Sequence, residues 1–119
     1  MPLPKPKVLL NQFGAAVLLI GLGGSVTLAA PVDYAREVKP VLAQNCYCCH
    51  GASQQKAGLR LDTAVALANG GDNGTGFVAG QSKESLLIQA LEGTHAEISR
   101  MPYKKPPLPD AQIATIARW

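Results

Sequence analysis

Three cysteines and a histidine lie together in one short segment of this sequence. Cys46, Cys48 and Cys49 are followed directly by His50, and these are the only 3 cysteines among 119 residues. Cys46, Cys49 and His50 form the pattern C-x-x-C-H, the attachment signature of c-type haem. Two thiols at this spacing can reach both vinyl groups of one porphyrin, and the adjacent imidazole can bind the iron. We therefore predict one haem c per chain, attached through Cys46 and Cys49 and ligated by His50.

Three other chemistries use the same residue types. A Cys46–Cys49 disulfide suits an oxidising compartment, but it leaves His50 unexplained. A redox dithiol of the thioredoxin kind belongs to a βαβ unit, and no segment here alternates as a strand does. A zinc site would add His95 to the same three residues, yet it lacks a second closely spaced ligand pair. Haem attachment accounts for more of the sequence than any of these alternatives.

A second axial ligand to the iron must come from elsewhere in the chain. Electron-transfer cytochromes commonly use His with Met, and Met101 is the only methionine besides Met1. It lies in a proline-rich loop, immediately before Pro102. His95 is an alternative distal ligand, and an open sixth position would suit a haem-based sensor or a peroxidase-like protein. We predict Met101 as the sixth ligand, with both alternatives left open.

Other residues near the motif are weaker candidates. Cys48 has the wrong spacing to complete the signature, so we expect a free thiol or a small buried side chain, with an intermolecular disulfide as an alternative. Arg60 could pair with a haem propionate because guanidinium groups suit carboxylates, or it could be a solvated loop residue. Lys104 and Lys105 could attract an acidic redox partner, although such pairs are more often plain surface.

Residues 1–30 have the composition of a targeting segment. Lys5 and Lys7 precede an uncharged run of apolar and small residues, which ends in Thr27-Leu28-Ala29. Small residues at such an end suit cleavage by a signal peptidase. An uncleaved anchor is the alternative, because the apolar run of about 18 residues is near the lower limit of a membrane span. In either case we expect residues 31–119 to be exported to the periplasm.

The exported part predicts short helices joined by long loops. The predicted helices are residues 33–44, capped by Asp33 and interrupted at Pro40; 63–68, capped by Asp62; 83–92, capped by Ser82 and ended by Gly93; and 110–119, with Ile113, Ile116 and Trp119 spaced for burial. Loops over 51–62 and 69–81 are long for so small a domain, and a large planar cofactor would organise them. The predicted fold class is all-α.

Composition excludes some function classes. Without Lys5 and Lys7, basic and acidic residues nearly balance, and no basic stripe is interleaved with aromatic residues. Nucleic acid is therefore not an expected partner. Only 5% of the residues are aromatic, so a domain of this size is expected to need a cofactor or a cross-link in its core. We see no constellation of acid, base and nucleophile, and we expect an electron carrier rather than an enzyme.

Several segments together resemble the planctomycete-type cytochrome c domain. The segments that carry the resemblance are residues 34–51 (YAREVKPVLAQNCYCCHG), 56–63 (KAGLRLDT), 85–88 (SLLI), Met101-Pro102, and 111–119. The resemblance implies a class I cytochrome c fold of short helices wrapped around one haem. It also implies thioether bonds from Cys46 and Cys49, with His50 and Met101 as axial ligands.

The resemblance also bears on the extent of the protein. Family members often continue into a longer secreted protein, so residues 31–119 could be an electron-supplying module whose catalytic domain is missing from this chain. The sequence departs from the family at Cys48, where a small polar residue is usual, and at Pro109, where a Ser or Thr cap is usual. Either Asp110 caps the last helix or Pro109 is its first residue. The sequence does not identify the redox partner.

Overall fold

The computed structural model describes residues 24–119. Most of the predicted targeting segment therefore lies outside the described residues. Residues 24–33 form neither helix nor strand, and nearly all of their side chains are exposed. None of the helices within residues 24–119 has the length and apolar character needed to cross a membrane.

The first helix begins with a π-helical turn that continues directly into α1. The turn covers Tyr34–Val38, and α1 covers Lys39–Asn45. The Asp33 carboxylate accepts a hydrogen bond from the Arg36 amide at 3.1 Å, so the predicted cap is confirmed. Pro40 lies in the first turn of α1, so its missing amide falls at the junction with the π-helical turn and costs α1 itself no hydrogen bond. The interruption at Pro40 is thus a change of helical geometry between two joined pieces.

Helix α2 spans Ala64–Asn69, and its cap differs from the prediction. The Thr63 hydroxyl accepts a hydrogen bond from the Ala66 amide at 3.1 Å. Asp62, the predicted cap, instead binds the Arg60 guanidinium at 2.9 and 2.7 Å. The prediction is wrong by one residue, because the carboxylate takes a charged donor close to it rather than the helix amides.

Helix α3 spans Leu86–Glu92 and begins three residues later than predicted. Ser82–Glu84 form a separate 3₁₀ turn, so the predicted cap at Ser82 is wrong. Ser85 precedes α3 in an extended conformation, and its hydroxyl accepts a hydrogen bond from the Val78 amide at 2.9 Å. This side chain therefore joins the loop over residues 70–81, called the glycine-rich loop below, to the start of α3. Gly93 ends the helix with a φ of 68°, as predicted.

Helix α4 spans Asp110–Arg118. Pro109 occupies the cap position in an extended conformation, and no side chain caps the helix. The Pro109 carbonyl accepts a hydrogen bond from the Gln112 amide at 2.9 Å. Pro109 is the cap residue rather than the first helical residue, and Asp110 is the first helical residue rather than the cap. Both sequence alternatives for this helix start are therefore wrong. Asp110 still favours the helix by placing a negative charge in its first turn.

The buried core joins all four helices. Val38, Leu42, Leu67 and Leu91 are each less than 2 % exposed. Further buried apolar residues are Cys46, Leu61, Leu87, Ile88, Leu108, Ile113 and Ile116. The predicted inward positions of α3 and α4 are thus mostly confirmed, and the helices hold the loops between them in place.

Trp119 closes one side of this core. Its ring centroid lies 4.7 Å from that of Tyr34 and 5.5 Å from that of Phe77. Trp119 thus contacts the first helix, but it is still 38 % exposed, so its predicted burial is only partial. Within residues 24–119 the chain forms no β-strand, and two isolated bridges are the only β-type pairings. The predicted all-α class is consistent with this architecture.

Candidate functional site

Helix α1 ends where the cysteine segment begins. The Cys46 amide donates to the Leu42 carbonyl at 2.8 Å, and the His50 amide donates to the Cys46 carbonyl at 2.8 Å. The Cys49 amide also donates to the Cys46 carbonyl, at 3.1 Å. These bonds wind the segment into tight turns directly after the helix. As a result, Cys46, Cys49 and His50 all line one cavity.

The turn is fixed from its other side by the following loop. The His50 carbonyl accepts a hydrogen bond from the Leu61 amide at 2.8 Å, and the Cys49 carbonyl accepts one from the Lys56 amide at 3.0 Å. Leu61 is 2 % exposed, so its burial anchors the loop over residues 51–62, which is hydrogen-bonded to the backbone of His50. Leu59, two residues earlier in the same loop, is partly buried and packs against the core.

Gly51 permits the tight winding after His50. A Cβ atom at this position would overlap with the carbonyl oxygen of Tyr47. The Gly51 amide also donates to the Gln54 carbonyl at 2.8 Å, which closes the next turn. A residue larger than glycine would push the backbone next to His50 away from Tyr47.

The cavity has a volume of about 290 Å³ and is open to solvent on one side. It lies between the cysteine segment, the glycine-rich loop, α3 and the loop that carries Met101. Its walls are mainly aliphatic. The aliphatic lining residues are Ala57, Leu59, Leu61, Leu86, Leu87, Ala90, Leu91 and Ile98. Such a concave apolar space with a few polar groups is typical of a cofactor site.

Met101 lines the same cavity as His50. The Met101 amide donates a hydrogen bond to the Ala90 carbonyl at 2.9 Å, which ties its loop to α3. His95, the alternative ligand, does not line the cavity. Its Nδ1 accepts hydrogen bonds from the amides of Glu97 and Ile98, both at 3.1 Å. The structure therefore brings Met101 to the motif and gives His95 a local role as the cap of a turn.

Burial affects two of the motif side chains, the Cys46 thiol and the His50 imidazole. Burial, and next the neighbouring Cys48, raise the pKa of the Cys46 thiol to about 11, partly opposed by Lys105. Nδ1 of His50 is buried and has no hydrogen-bond partner within the described chain. A buried ring nitrogen without a partner is unfavourable, so this imidazole is suited to a site that something else completes.

The donor set fits a covalently attached haem. Two thiols, an imidazole and a thioether face one apolar cavity, and imidazole with thioether is an established axial pair for haem iron. The zinc alternative gains no support, because residues 24–119 contain no group of three or more His, Cys, Asp or Glu side chains placed to hold a metal ion. No disulfide joins any two of the three cysteines within residues 24–119.

Cys48 lies at the mouth of the cavity and is exposed. Its Sγ is 3.7 Å from Sγ of Cys49 and 4.0 Å from Nζ of Lys105. Because Cys48 is exposed, the alternative of a small buried side chain is wrong, and the free thiol and the intermolecular disulfide both stay predictions. The reason is that the winding turns Cys46 into the core and leaves Cys48 facing outward.

Arg60 forms an ion pair that the sequence analysis did not predict, and its role toward a haem propionate stays a prediction. Its guanidinium binds both carboxylate oxygens of Asp62, and it does not line the cavity. This hydrogen-bonded pair lowers the pKa of Asp62 below its ordinary value. The guanidinium therefore braces the loop between the motif and α2.

Some lining residues were not singled out from the sequence. Ile98 is an isolated aliphatic residue among polar neighbours, and that isolation was an available signal. Asn45 and Lys56 also line the cavity, but neither carries a signal of its own. Asn45 lies at a helix end and Lys56 lies in a loop, where sequence periodicity does not predict which side chains turn toward the cavity.

One of three comparisons with known proteins finds a match. Residues 46–104 match the family model described as planctomycete cytochrome C. The matched range includes the cysteine segment, the cavity loops, α3 and Met101. No curated protein and no solved structure matches significantly.

Proposed function

Because the chain belongs to the planctomycete cytochrome c family, we propose that it is a periplasmic electron carrier with one haem c. The family implies haem-based electron transfer and covalent attachment. The finer proposal is that Cys46 and Cys49 form the thioether bonds and that His50 and Met101 are the axial ligands. One observation carries it: these four side chains line a single apolar cavity.

Each residue has a defined task in this proposal. The thiols of Cys46 and Cys49 retain the cofactor in a domain too small to enclose it. The imidazole of His50 is held by the turn that Cys46 starts, and the thioether of Met101 is held by the bond to Ala90. When bound, the haem supplies a one-electron couple at its iron.

The cavity walls set the conditions for electron exchange. Their aliphatic side chains exclude water, and a thioether ligand together with burial favours the reduced state of haem iron. Fixed ligands on both sides also keep reorganisation small when the oxidation state changes. No side chain has to move a proton, so the proposal contains no catalytic residue. A sensor or peroxidase would need an open sixth position, whereas Met101 reaches this cavity.

The location and the single haem are further parts of the proposal. The composition of residues 1–30 supports export, and attachment of haem c to thiols suits a compartment outside the inner membrane. One C-x-x-C-H signature in the sequence supports one haem per chain.

The attachment residues are tested by thiol variants produced with periplasmic haem-attachment machinery. The variants are Cys46→Ala, Cys49→Ala, the double variant of both, and Cys48→Ala as the matched control. We expect haem to remain with the denatured wild type and with the control. Each single variant should shift the reduced haem absorption to longer wavelength, because one vinyl group stays unreacted. Covalent haem in the double variant, or its loss in the control, would contradict the assignment.

A further inference from the structure

Arg100, the residue directly before Met101, is attached to the end of α3. Its Nη2 donates a hydrogen bond to the Glu92 carbonyl at 2.8 Å. Glu92 is the last residue of α3, and the final carbonyls of a helix have no partner within the helix. A basic side chain near the C-terminus of a helix can satisfy such a carbonyl. Arg100 therefore makes a side-chain bond to the same helix end that Met101 reaches with its backbone.

These two bonds close one loop. The Met101 amide donates to the Ala90 carbonyl at 2.9 Å, and Ala90 lies two residues before the carbonyl that Arg100 reaches. Residues 93–100 thus leave the end of α3 and return to it, and two consecutive residues make the return contact. Because both bonds hold the same short stretch of chain, loss of either one loosens the attachment of the other.

Gly93 provides the space that the Arg100 side chain occupies. It is the first residue after α3 and has a φ of 68°. A Cβ atom at this position would overlap with Nε of Arg100. The guanidinium therefore lies directly over the backbone of Gly93, although Arg100 as a whole is exposed. The end of the helix and the side chain that binds it thus fit each other closely.

Arg100 and Met101 line different cavities. Met101 lines the cavity that also contains His50, whereas Arg100 lines a second cavity of about 300 Å³ between the end of α3 and α4. Leu91 lines both cavities and so forms part of the wall between them. Arg100 thus stays on one side of this wall while the next side chain enters the proposed haem site on the other.

We propose that Arg100 is a positioning residue for the distal haem ligand, because its bond to Glu92 keeps the loop closed and holds the Met101 thioether in the cavity. This inference rests on the proposed function, in which Met101 binds the iron. The guanidinium does not line the haem cavity, so it acts only through the chain that it shares with Met101. Loss of the bond should increase the rate at which the thioether leaves the iron.

The test compares two pairs of variants in the full haem-loaded chain. Arg100→Ala removes the bond, and Arg118→Ala is its control, because Arg118 is an exposed arginine in the last turn of α4. Gly93→Ala should displace the Arg100 side chain. Gly80→Ala is its control, because Gly80 has a similar φ of 72° but a Cβ there meets no atom within 4 Å.

Two measurements are made on each variant. Stopped-flow absorption follows the loss of the far-red iron–sulfur band when the oxidised protein is mixed with imidazole. At saturating imidazole, the rate is limited by departure of the Met101 thioether from the iron. Hydrogen–deuterium exchange of the Met101 amide, followed by NMR in the reduced protein, reports on the bond to Ala90 separately from the spectrum of the haem.

We expect Arg100→Ala and Gly93→Ala to raise both the limiting rate and the amide exchange rate about threefold to tenfold, as loss of one hydrogen bond would do. Arg100→Lys keeps a cationic donor and should remain within about twofold of the wild type in both rates. The two control variants should also remain within about twofold of the wild type.

Wild-type rates in Arg100→Ala, or equal increases in each variant and its control, would overturn the inference. An increase in Arg100→Lys as large as that in Arg100→Ala would also overturn it, because the donated bond would then not be the cause. A wild-type chain that holds haem but lacks the far-red band would instead refute ligation by Met101, which belongs to the proposed function. Amide exchange would still show in that case whether Arg100 closes the loop.

Discussion

The Met101 amide donates a hydrogen bond to the Ala90 carbonyl at 2.9 Å. This bond fixes the proline-rich loop against the end of α3, whose residues Leu87 and Leu91 line the cavity. The Met101 side chain is held on the same cavity as His50 as a consequence. The distal half of the proposed haem site therefore depends on α3, just as the proximal half depends on α1.

Replacement of Met101 by alanine should open the iron without releasing the haem. The thioether is lost, while the attachment through Cys46 and Cys49 is unaffected. We expect carbon monoxide or cyanide to bind the variant at least about tenfold more tightly, because no internal ligand worth about 1.4 kcal/mol or more has to be displaced. Absorption titrations of the wild type and the variant measure this difference.

His95→Ala is the matched control for this prediction. His95 accepts amide hydrogen bonds and does not line the cavity. Its variant should keep the wild-type spectrum and ligand affinity. If His95→Ala opens the iron and Met101→Ala does not, the assignment of the distal ligand is wrong.

The ion pair between Arg60 and Asp62 should make a small, pH-dependent contribution to stability. The pKa of Asp62 is lowered chiefly by the hydrogen bond from Arg60. A lowered folded-state pKa stabilises the fold above the ordinary carboxyl pKa, and this stabilisation is lost as the pH falls below about 4. Arg60→Gln should raise the pKa of Asp62 toward its ordinary value, as measured by NMR titration of the side-chain carboxyl carbon. An unchanged titration midpoint would show that the pair does not form in solution.

The sequence predicts the parts of this structure that depend on local rules. The Asp33 cap and the end of α3 at Gly93 follow from capping rules, and the burial of Ile113 and Ile116 follows from their spacing. The predicted caps at Asp62 and Ser82 are wrong, because Asp62 binds a neighbouring guanidinium and Ser82 belongs to a separate 3₁₀ turn. The Arg60 guanidinium donates hydrogen bonds to the Asp62 carboxylate, and the Val78 amide donates one to the Ser85 hydroxyl.

Some residues of the candidate site could be predicted from the sequence, and others could not. The motif residues are recognisable by type and spacing, and Met101 is recognisable as the only methionine besides Met1. All of them line the cavity. The aliphatic walls, Lys56 and the outward position of Cys48 depend on how loops fold over one another. Loop residues carry no periodic signal, so their facing could not be predicted.

Leu91 should be the more sensitive of two aliphatic positions. Leu91, in α3, is only 1 % exposed, whereas Val65, in α2, is 72 % exposed. Leu91→Ala should destabilise the haem-loaded protein by about 2–5 kcal/mol, because it leaves a cavity in a packed core. Val65→Ala should change the free energy of unfolding by less than about 0.5 kcal/mol. Denaturant unfolding measures both, and equal losses would contradict the packing described for α3.

Gly51→Ala should disturb the turn that carries His50. The added Cβ would overlap with the Tyr47 carbonyl oxygen. We expect a loss of about 1–3 kcal/mol in unfolding free energy for Gly51→Ala. Ala52→Ser, at the exposed next position of the same turn, is the control and should change the unfolding free energy by less than about 0.5 kcal/mol. Equal stability of both variants would show that the close approach at Gly51 is not present in solution.

The most direct test of the whole account is an absorption spectrum of the wild-type chain, taken first native and oxidised and then denatured. We predict a weak far-red charge-transfer band from iron–sulfur ligation in the native protein, and haem that stays with the polypeptide after denaturation. Attached haem without the far-red band would contradict ligation by Met101. A denatured polypeptide free of haem would contradict the central claim that this cavity holds a covalent haem c.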